Sequence, residues 1–394
     1  MQTMISVQTA KRLIKESIIN LTPVLCTIAK VHGKVLAEDV MAPYDIPAFP
    51  QASMDGYAFA FEDLQQPLKV KTETAAGEQH IIELQRGEAI RIFTGAPVPL
   101  GADTILVQEK VTVQDGTLMI DPHPVSFAQH VRPKGSEIKK DEPAMVKGQY
   151  LDAGSVGFLA AIGIAEMKVI PMPKVCIIVT GNELQQPGNQ LHYGQVFEAN
   201  SFSLTAALQQ LGISEITVQH AVDDEALLTN VIEDALEKHD VLLVTGGVSV
   251  GDYDYTLQSF KANDAEIIFH KIKQKPGKPM LFARKGNKPM FGLPGNPASV
   301  LTCFYEYVTV ALTVLTMAPM EPKAITAISQ SNYLKPEGIT HFLKAFSEGG
   351  RVKLLAGQES YKLKAFAAAN AIAVLPEHIR EVSEGESIEI HLIS

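Results

Sequence analysis

The 394-residue chain holds only three cysteines, Cys26, Cys176 and Cys303, and no two stand in C-x-x-C spacing. A zinc ribbon and a redox pair therefore have no support. Cys176 and Cys303 lie in apolar runs and read as small buried residues of a protein kept in a reducing cytosol. The histidines show neither H-x-x-H nor H-E-x-x-H, so a zinc centre is not indicated. G-x-G-x-x-G and the P-loop pattern are missing too, which removes the common nucleotide fingerprints. Basic charge is scarce: 34 Lys and Arg stand against 44 Asp and Glu, a net charge of −10. No nucleic-acid partner is expected on that balance. The start of the chain lacks the apolar core of a signal peptide. A single stretch, 298–318, has membrane-like hydropathy, but Glu306 interrupts it between two tyrosines and a Pro-Gly-Asn-Pro turn precedes it. It reads as a long helix packed inside the protein, so no membrane contact and a cytoplasmic location are expected.

What is present is ordinary globular composition, 46% apolar and 20% charged, at a length that holds about two to four domains. The expected fold is a multidomain α/β protein. An elongated N-terminal arm domain, 1–50 and 141–172, brackets a small inserted β domain, 51–140. In that insert, short alternating runs are separated by glycines and prolines. Ser6 is placed to cap a first helix, and Ser155 a short helix over 155–162. A central domain, 173–318, alternates strands (175–179, 215–222, 241–244, 266–272, 280–283, 289–291) with helices (199–211, 225–238, 255–262, 297–317). That rhythm predicts a mostly parallel sheet with helices on both faces, three layers in all. Residues 319–394 read as a small β-barrel or sandwich, with 360–370 the one helical candidate.

The chemistry concentrates at the ends of the central strands, where ligands of such sheets bind. Thr180-Gly181 and Thr245-Gly246 both occupy that place. Glu183 follows the first turn, Asp223 and Asp224 are both placed to cap the helix over 225–238, and Asp252 and Asp254 follow Gly246-Gly247. Each acid alone is as well explained by a turn or a cap. Together, Glu183, Asp223 and Asp254 would project from three strand ends and suit a hard divalent ion such as Mg²⁺. Lys271, Lys273 and Lys275 alternate, as if on one strand face, and Lys275-Pro-Gly-Lys278 sets two lysines about a turn, a pattern suited to phosphate. An edge strand guarded by lysines explains the alternation equally well. Asp55 and Thr94 read in isolation as turn residues.

Seven stretches carry a resemblance: Ser53-Met54-Asp55-Gly56-Tyr57-Ala58, Thr94-Gly95-Ala96-Pro97-Val98-Pro99, Thr180-Gly181-Asn182-Glu183-Leu184, Thr245 to Gly251, Asp254-Tyr255, Lys275-Pro276-Gly277-Lys278-Pro279 and Leu293-Pro294-Gly295-Asn296-Pro297. In this order they resemble the molybdopterin molybdenumtransferase family, whose homologous domain also occurs in gephyrin. The resemblance implies an L-shaped, four-domain subunit in a homodimer, with a C-terminal β-barrel. It implies a Mg²⁺-dependent reaction of adenylated molybdopterin with molybdate, which releases AMP and molybdenum cofactor. Asp55, Thr94, Glu183, Asp223, Asp254, Lys271 and Lys275 would serve the reaction. Gly246, Gly247, Ser249, Lys278, Pro294, Asn296 and Pro297 would hold substrate, with Asp55 and Thr94 facing the α/β domain of the other subunit.

The match has departures. Asn182 stands where many members carry Asp, and Ser136-Glu137 where Glu-Asp is usual. Lys344 and Lys364 fall near positions of Arg and Ser, so no site role is carried onto the C-terminal domain. The competing readings are a molybdopterin adenylyltransferase, which shares the α/β core and is also a candidate partner, and a non-enzymatic scaffold.

Overall fold

The computed structural model describes residues 4–121, 123–247 and 255–393. The chain divides into two compact units: Met1–Val24 with Gly33–Val35 and Val169–Ser394, and Leu25–His32 with Leu36–Lys168.

The larger unit is built on six strands: β1 (Val175–Thr180), β2 (Ile216–Ala221), β3 (Val241–Thr245), β4 (Glu266–His270), β5 (Leu281–Lys285) and β6 (Lys288–Leu293). Their order is β2-β1-β3-β6-β5-β4. β1 runs parallel to β2 and β3, and β3 parallel to β6, while β5 is antiparallel to both neighbours. Every residue of β1 and β3 is buried, as their unbroken apolar runs require. Side chains alternate across the sheet. Val175, Ile177 and Leu243 face one core with α2 (Asn200–Gln210) and the long α5 (Pro297–Thr316). Cys176, Ile178 and Leu242 face another with α3 (Glu225–Lys238) and α4 (Tyr255–Ala262). This is the three-layer domain expected. The apolar run of α5 is explained by its place in the core. A π turn, Phe304–Val308, interrupts it midway.

The first helix, α1 (Val7–Ser17), packs Ala10 and Ile14 into the same core as α5, and Ser6 caps it by accepting from the Thr9 amide. The C-terminal strands are β7 (Lys323–Ser329), β8 (Thr340–Glu348), β9 (Arg351–Leu354), β10 (Ala371–Leu375) and β11 (Ser387–Leu392). They run β8-β9-β7-β11-β10 and close through pairing of β10 with β8, a five-strand barrel without a free edge. Of 360–370 only Lys364–Ala367 is helical.

In the smaller unit, strands Gly56–Phe59, Leu68–Thr74, Glu88–Ile92, Thr104–Val107, Val111–Gln114 and Thr117–Ile120 form one sheet. Ile90, Ile92 and Ile105 fill one face; Phe59, Ala89 and Leu106 fill the other. The helix expected from Ser155 is Ala153–Ala161. Its cap is Asp152, whose carboxylate accepts from the Ser155 amide at 2.8 Å, so Ser155 is the donor rather than the cap.

Candidate functional site

Four parallel strands lie side by side, so their carboxyl ends share one edge. They open there into a cavity of about 580 Å³. Thr180, Gly181 and Glu183 follow β1, Asp223 follows β2, Gly246 and Gly247 follow β3, and Gly295, Asn296 and Pro297 follow β6; all line it. Gly246 is required. Its φ is +87°, and a Cβ would stand 2.4 Å from the Thr180 carbonyl oxygen. Only glycine lets the turns after β1 and β3 approach so closely. Pro297 takes the first position of α5, where its missing N–H removes nothing from the helix.

The two neighbouring acids after β2 divide their roles. Asp224 caps α3 by accepting from the Leu227 amide at 2.9 Å. Asp223 is thereby left to line the cavity beside Glu183. Asn182, the neutral replacement, accepts from the Asp223 amide at 3.4 Å. It thus meets the backbone that carries one acid. Among the described residues no group of three or more His, Cys, Asp and Glu is placed to hold a metal ion. Asp252, Asp254 and Ser249 lie outside the described residues.

The lysines differ from expectation. β4 ends at His270, and Lys271 has φ +81°, so the strand alternation breaks there. The chain turns back instead: the Lys271 amide donates to Met280 and the Ile272 amide to Lys278. Lys271, Lys273 and Lys275 therefore do not share one strand face, and the lysines are not among the residues lining the cavity. Gln274–Lys275 forms a short strand parallel to Thr340–His341 at the start of β8. There His341 is pushed down to about 4, by burial first and then by Lys275 and Lys335, and is neutral at pH 7. Lys275 and Lys278 are exposed on either side of buried Pro276-Gly277. Pro294 is buried and is not among the residues lining the cavity.

Asp55 and Thr94 belong to the smaller unit and are directly bonded. Asp55 Oδ1 accepts from the Thr94 amide at 2.7 Å and from its hydroxyl at 2.8 Å. The amide first, then the hydroxyl, hold the carboxyl below its usual range.

Three polar cavity residues, Glu198, Asn200 and Tyr361, are not marked by the sequence reading. Glu198 is 2% exposed, and both its oxygens are taken by Ser201, the amide at 2.8 Å and the hydroxyl at 2.6 Å. Asn200 donates to the Gly295 carbonyl at 3.0 Å, while its buried Oδ1 has no partner among the described residues. The available signal was Glu198-Ala-Asn200-Ser201, an acid three residues before a serine at a helix start. Tyr361 comes from the C-terminal region, onto which the resemblance carries no site role. Its loop is tied to α5: Asn296 donates to Ser360 Oγ at 3.0 Å, and the Ala298 amide to the Ser360 carbonyl. Lys344, 3% exposed, holds that loop by donating to the carbonyls of Gly357, Glu359 and Lys362. A contact of this range leaves no periodicity in the sequence.

The chain matches three family models in order: MoeA N-terminal region (domain I and II) over 5–163, probable molybdopterin binding domain over 176–313, and MoeA C-terminal region (domain IV) over 326–393. It is 34% identical over 373 residues to the molybdopterin molybdenumtransferase of Haemophilus influenzae, covering 92% of each chain. It is 33% identical over 377 residues to that of Staphylococcus aureus, covering 93% of this chain and 90% of that one. Two crystal structures of the molybdopterin biosynthesis MoeA protein of Pyrococcus horikoshii match with TM-scores of 0.85 and 0.81, at 31% and 29% identity. They cover 100% and 99% of this chain and 100% of their own. With its domain series, its closed C-terminal barrel and its strand-end cavity, the chain belongs to the molybdopterin molybdenumtransferase family, enzymes of molybdenum cofactor biosynthesis.

Proposed function

We propose that the enzyme inserts molybdenum from molybdate into adenylated molybdopterin and releases AMP and molybdenum cofactor in a Mg²⁺-dependent step. The observation that carries this reading is the cavity at the ends of β1, β2, β3 and β6, where two carboxylates, Glu183 and Asp223, stand beside the Gly246-Gly247 turn. Glycine amides accept close approach by phosphate oxygens, and Asn296-Pro297 presents the start of a helix to the same space.

The donors fit a hard cation. Glu183, Asp223 and Asn200 Oδ1, which has no partner among the described residues, are all oxygen donors, and Mg²⁺ takes one or two carboxylates with waters and phosphate oxygens. Glu183 and Asp223, with Asp254, would hold the ion. Mg²⁺ bound there would neutralise the pyrophosphate and the phosphate that leaves. Lys271, Lys275 and Lys278 supply positive charge for phosphate or molybdate, two anions that otherwise repel. Gly246, Gly247, Ser249, Pro294, Asn296 and Pro297 shape the substrate seat. Asp55 and Thr94 act from the partner subunit of a homodimer, and a molybdopterin adenylyltransferase supplies the substrate.

The test is direct. Purified protein with adenylated molybdopterin, molybdate and Mg²⁺ should release AMP and yield cofactor that activates a molybdenum apoenzyme. With molybdopterin and ATP-Mg²⁺ alone it should form no adenylate. Adenylate formation in the second mixture would place the enzyme one step earlier.

A further inference from the structure

Lys275 and Lys278 are exposed, but the residues beneath them are not. Gln274 is 2% exposed and folds back under its own loop, where Nε2 donates to the Pro276 carbonyl at 2.9 Å and the Gly277 carbonyl at 3.2 Å. Two carbonyl acceptors fix which end of the amide faces the loop. The other end, Oε1, accepts from the hydroxyl of Tyr307, a fully buried residue in the π turn of α5. Such turns re-aim the side chains they carry and recur near functional sites. Gly277 completes the seat. Its φ is +83°, and a Cβ would stand 2.5 Å from Cys303 Sγ and 2.9 Å from Gln274 Nε2. The loop is thus pressed onto α5, the helix whose first residues line the cavity.

We propose that Gln274 and Tyr307, neither of which lines the cavity, are positioning residues that hold the Lys275 and Lys278 ammonium groups for an oxyanion. The inference rests on the reading of those lysines given above. Its physical basis is preorganisation. A lysine on a loose loop must be ordered when the anion binds, and that ordering subtracts from affinity. Here both loop carbonyls are already tied to one side chain, and that side chain to a rigid helix.

The test is a mutant cycle on the full chain, read by calorimetric titration with inorganic molybdate and, separately, inorganic pyrophosphate. Lys275→Ala/Lys278→Ala should weaken anion binding strongly. Tyr307→Phe keeps the ring and removes one hydrogen bond; it should weaken binding about fivefold, as one such bond does. Gln274→Met keeps the shape and removes both donors, and should act in the same direction. In the Lys275→Ala/Lys278→Ala background, Tyr307→Phe should have no further effect, because a purely structural role would persist there. If neither anion binds the unaltered protein, or if the lysine pair can be removed without loss, the lysine reading fails and this inference falls with it. If the lysines matter but Tyr307→Phe is silent, or equally costly in both backgrounds, the positioning role alone is overturned.

Discussion

Both donors of Thr94 converge on one oxygen of Asp55, its backbone amide at 2.7 Å and its hydroxyl at 2.8 Å. The two residues are 39 positions apart, and each alone reads as part of a turn. Bonded, they make a carboxylate of fixed orientation. Asp55→Ala should lower the rate of cofactor formation about a hundredfold, as loss of a positioned catalytic group does. Thr94→Val keeps the amide and should cost about tenfold, the worth of one hydrogen bond to a charge, whereas Thr94→Ser should stay near the unaltered rate. Full turnover in Asp55→Ala would return the pair to a turn.

The adjacent acids Asp223 and Asp224 should separate cleanly. Asp223→Asn and Glu183→Gln should raise the Mg²⁺ concentration for half-maximal activity by about 10–100-fold, the range known for groups that support a metal. Asp224→Ala should leave that midpoint alone and lower stability by about 1 kcal/mol, through loss of the α3 cap. Asp254→Asn should fold and accumulate adenylated molybdopterin. Mg²⁺ titrations and denaturant melts distinguish the three outcomes.

Glu306, fully buried in the π turn, joins three elements. Its carboxylate meets Lys11 of α1 and His391 of β11, each at 2.7 Å. Burial alone would raise its pKa, but Lys11 and then His391 outweigh burial and hold it below its ordinary 4.5. Burial likewise pulls His391 down, yet Glu306 raises it above 6.5. Glu306 therefore contributes stability above pH 4.5 that is lost as pH falls through its lowered value. His391 contributes stability fully present below pH 6.5 that is lost as pH rises through its raised value. The melting temperature should fall on both sides of that window, and His391→Asn should flatten the alkaline side. Lys11→Met should lower stability, but by less than the roughly 3–5 kcal/mol of an uncompensated buried charge, because His391 still pairs with Glu306.

Gly246→Ala places a methyl group against the Thr180 carbonyl oxygen in a backbone region that side chains disfavour. It should destabilise the protein by about 1–3 kcal/mol. It should also abolish substrate binding, because the clash lies where the turns after β1 and β3 meet. Calorimetry and a substrate titration report the two effects separately.

The shared-site reading predicts a homodimer. Light scattering at micromolar concentration should give twice the 42.7 kDa of one chain. A monomer would contradict a reaction that uses Asp55 and Thr94 from the partner.

Local pattern carried much of this protein. Unbroken apolar runs at 175–179 and 241–244 dictated strands, both buried throughout, and the apolar stripe of Leu227, Leu228, Val231, Ile232, Ala235 and Leu236 dictated α3, although Leu227 stays exposed. Glycine turns at strand ends marked where a ligand sits, because topology places the carboxyl ends of parallel strands on one edge whatever else the chain does. What folding alone decided was long-range. Lys271 leaves the strand because the chain must turn back to Met280, so three alternating lysines lose their common face. Tyr361 lines the cavity on a loop that Asn296, Ala298 and Lys344 bind from distant parts of the chain, and the Gln274–Tyr307 bond spans 33 residues. Periodicity reports which way a side chain points within its own element; it holds nothing about a partner brought near by closure of the barrel and burial of α5.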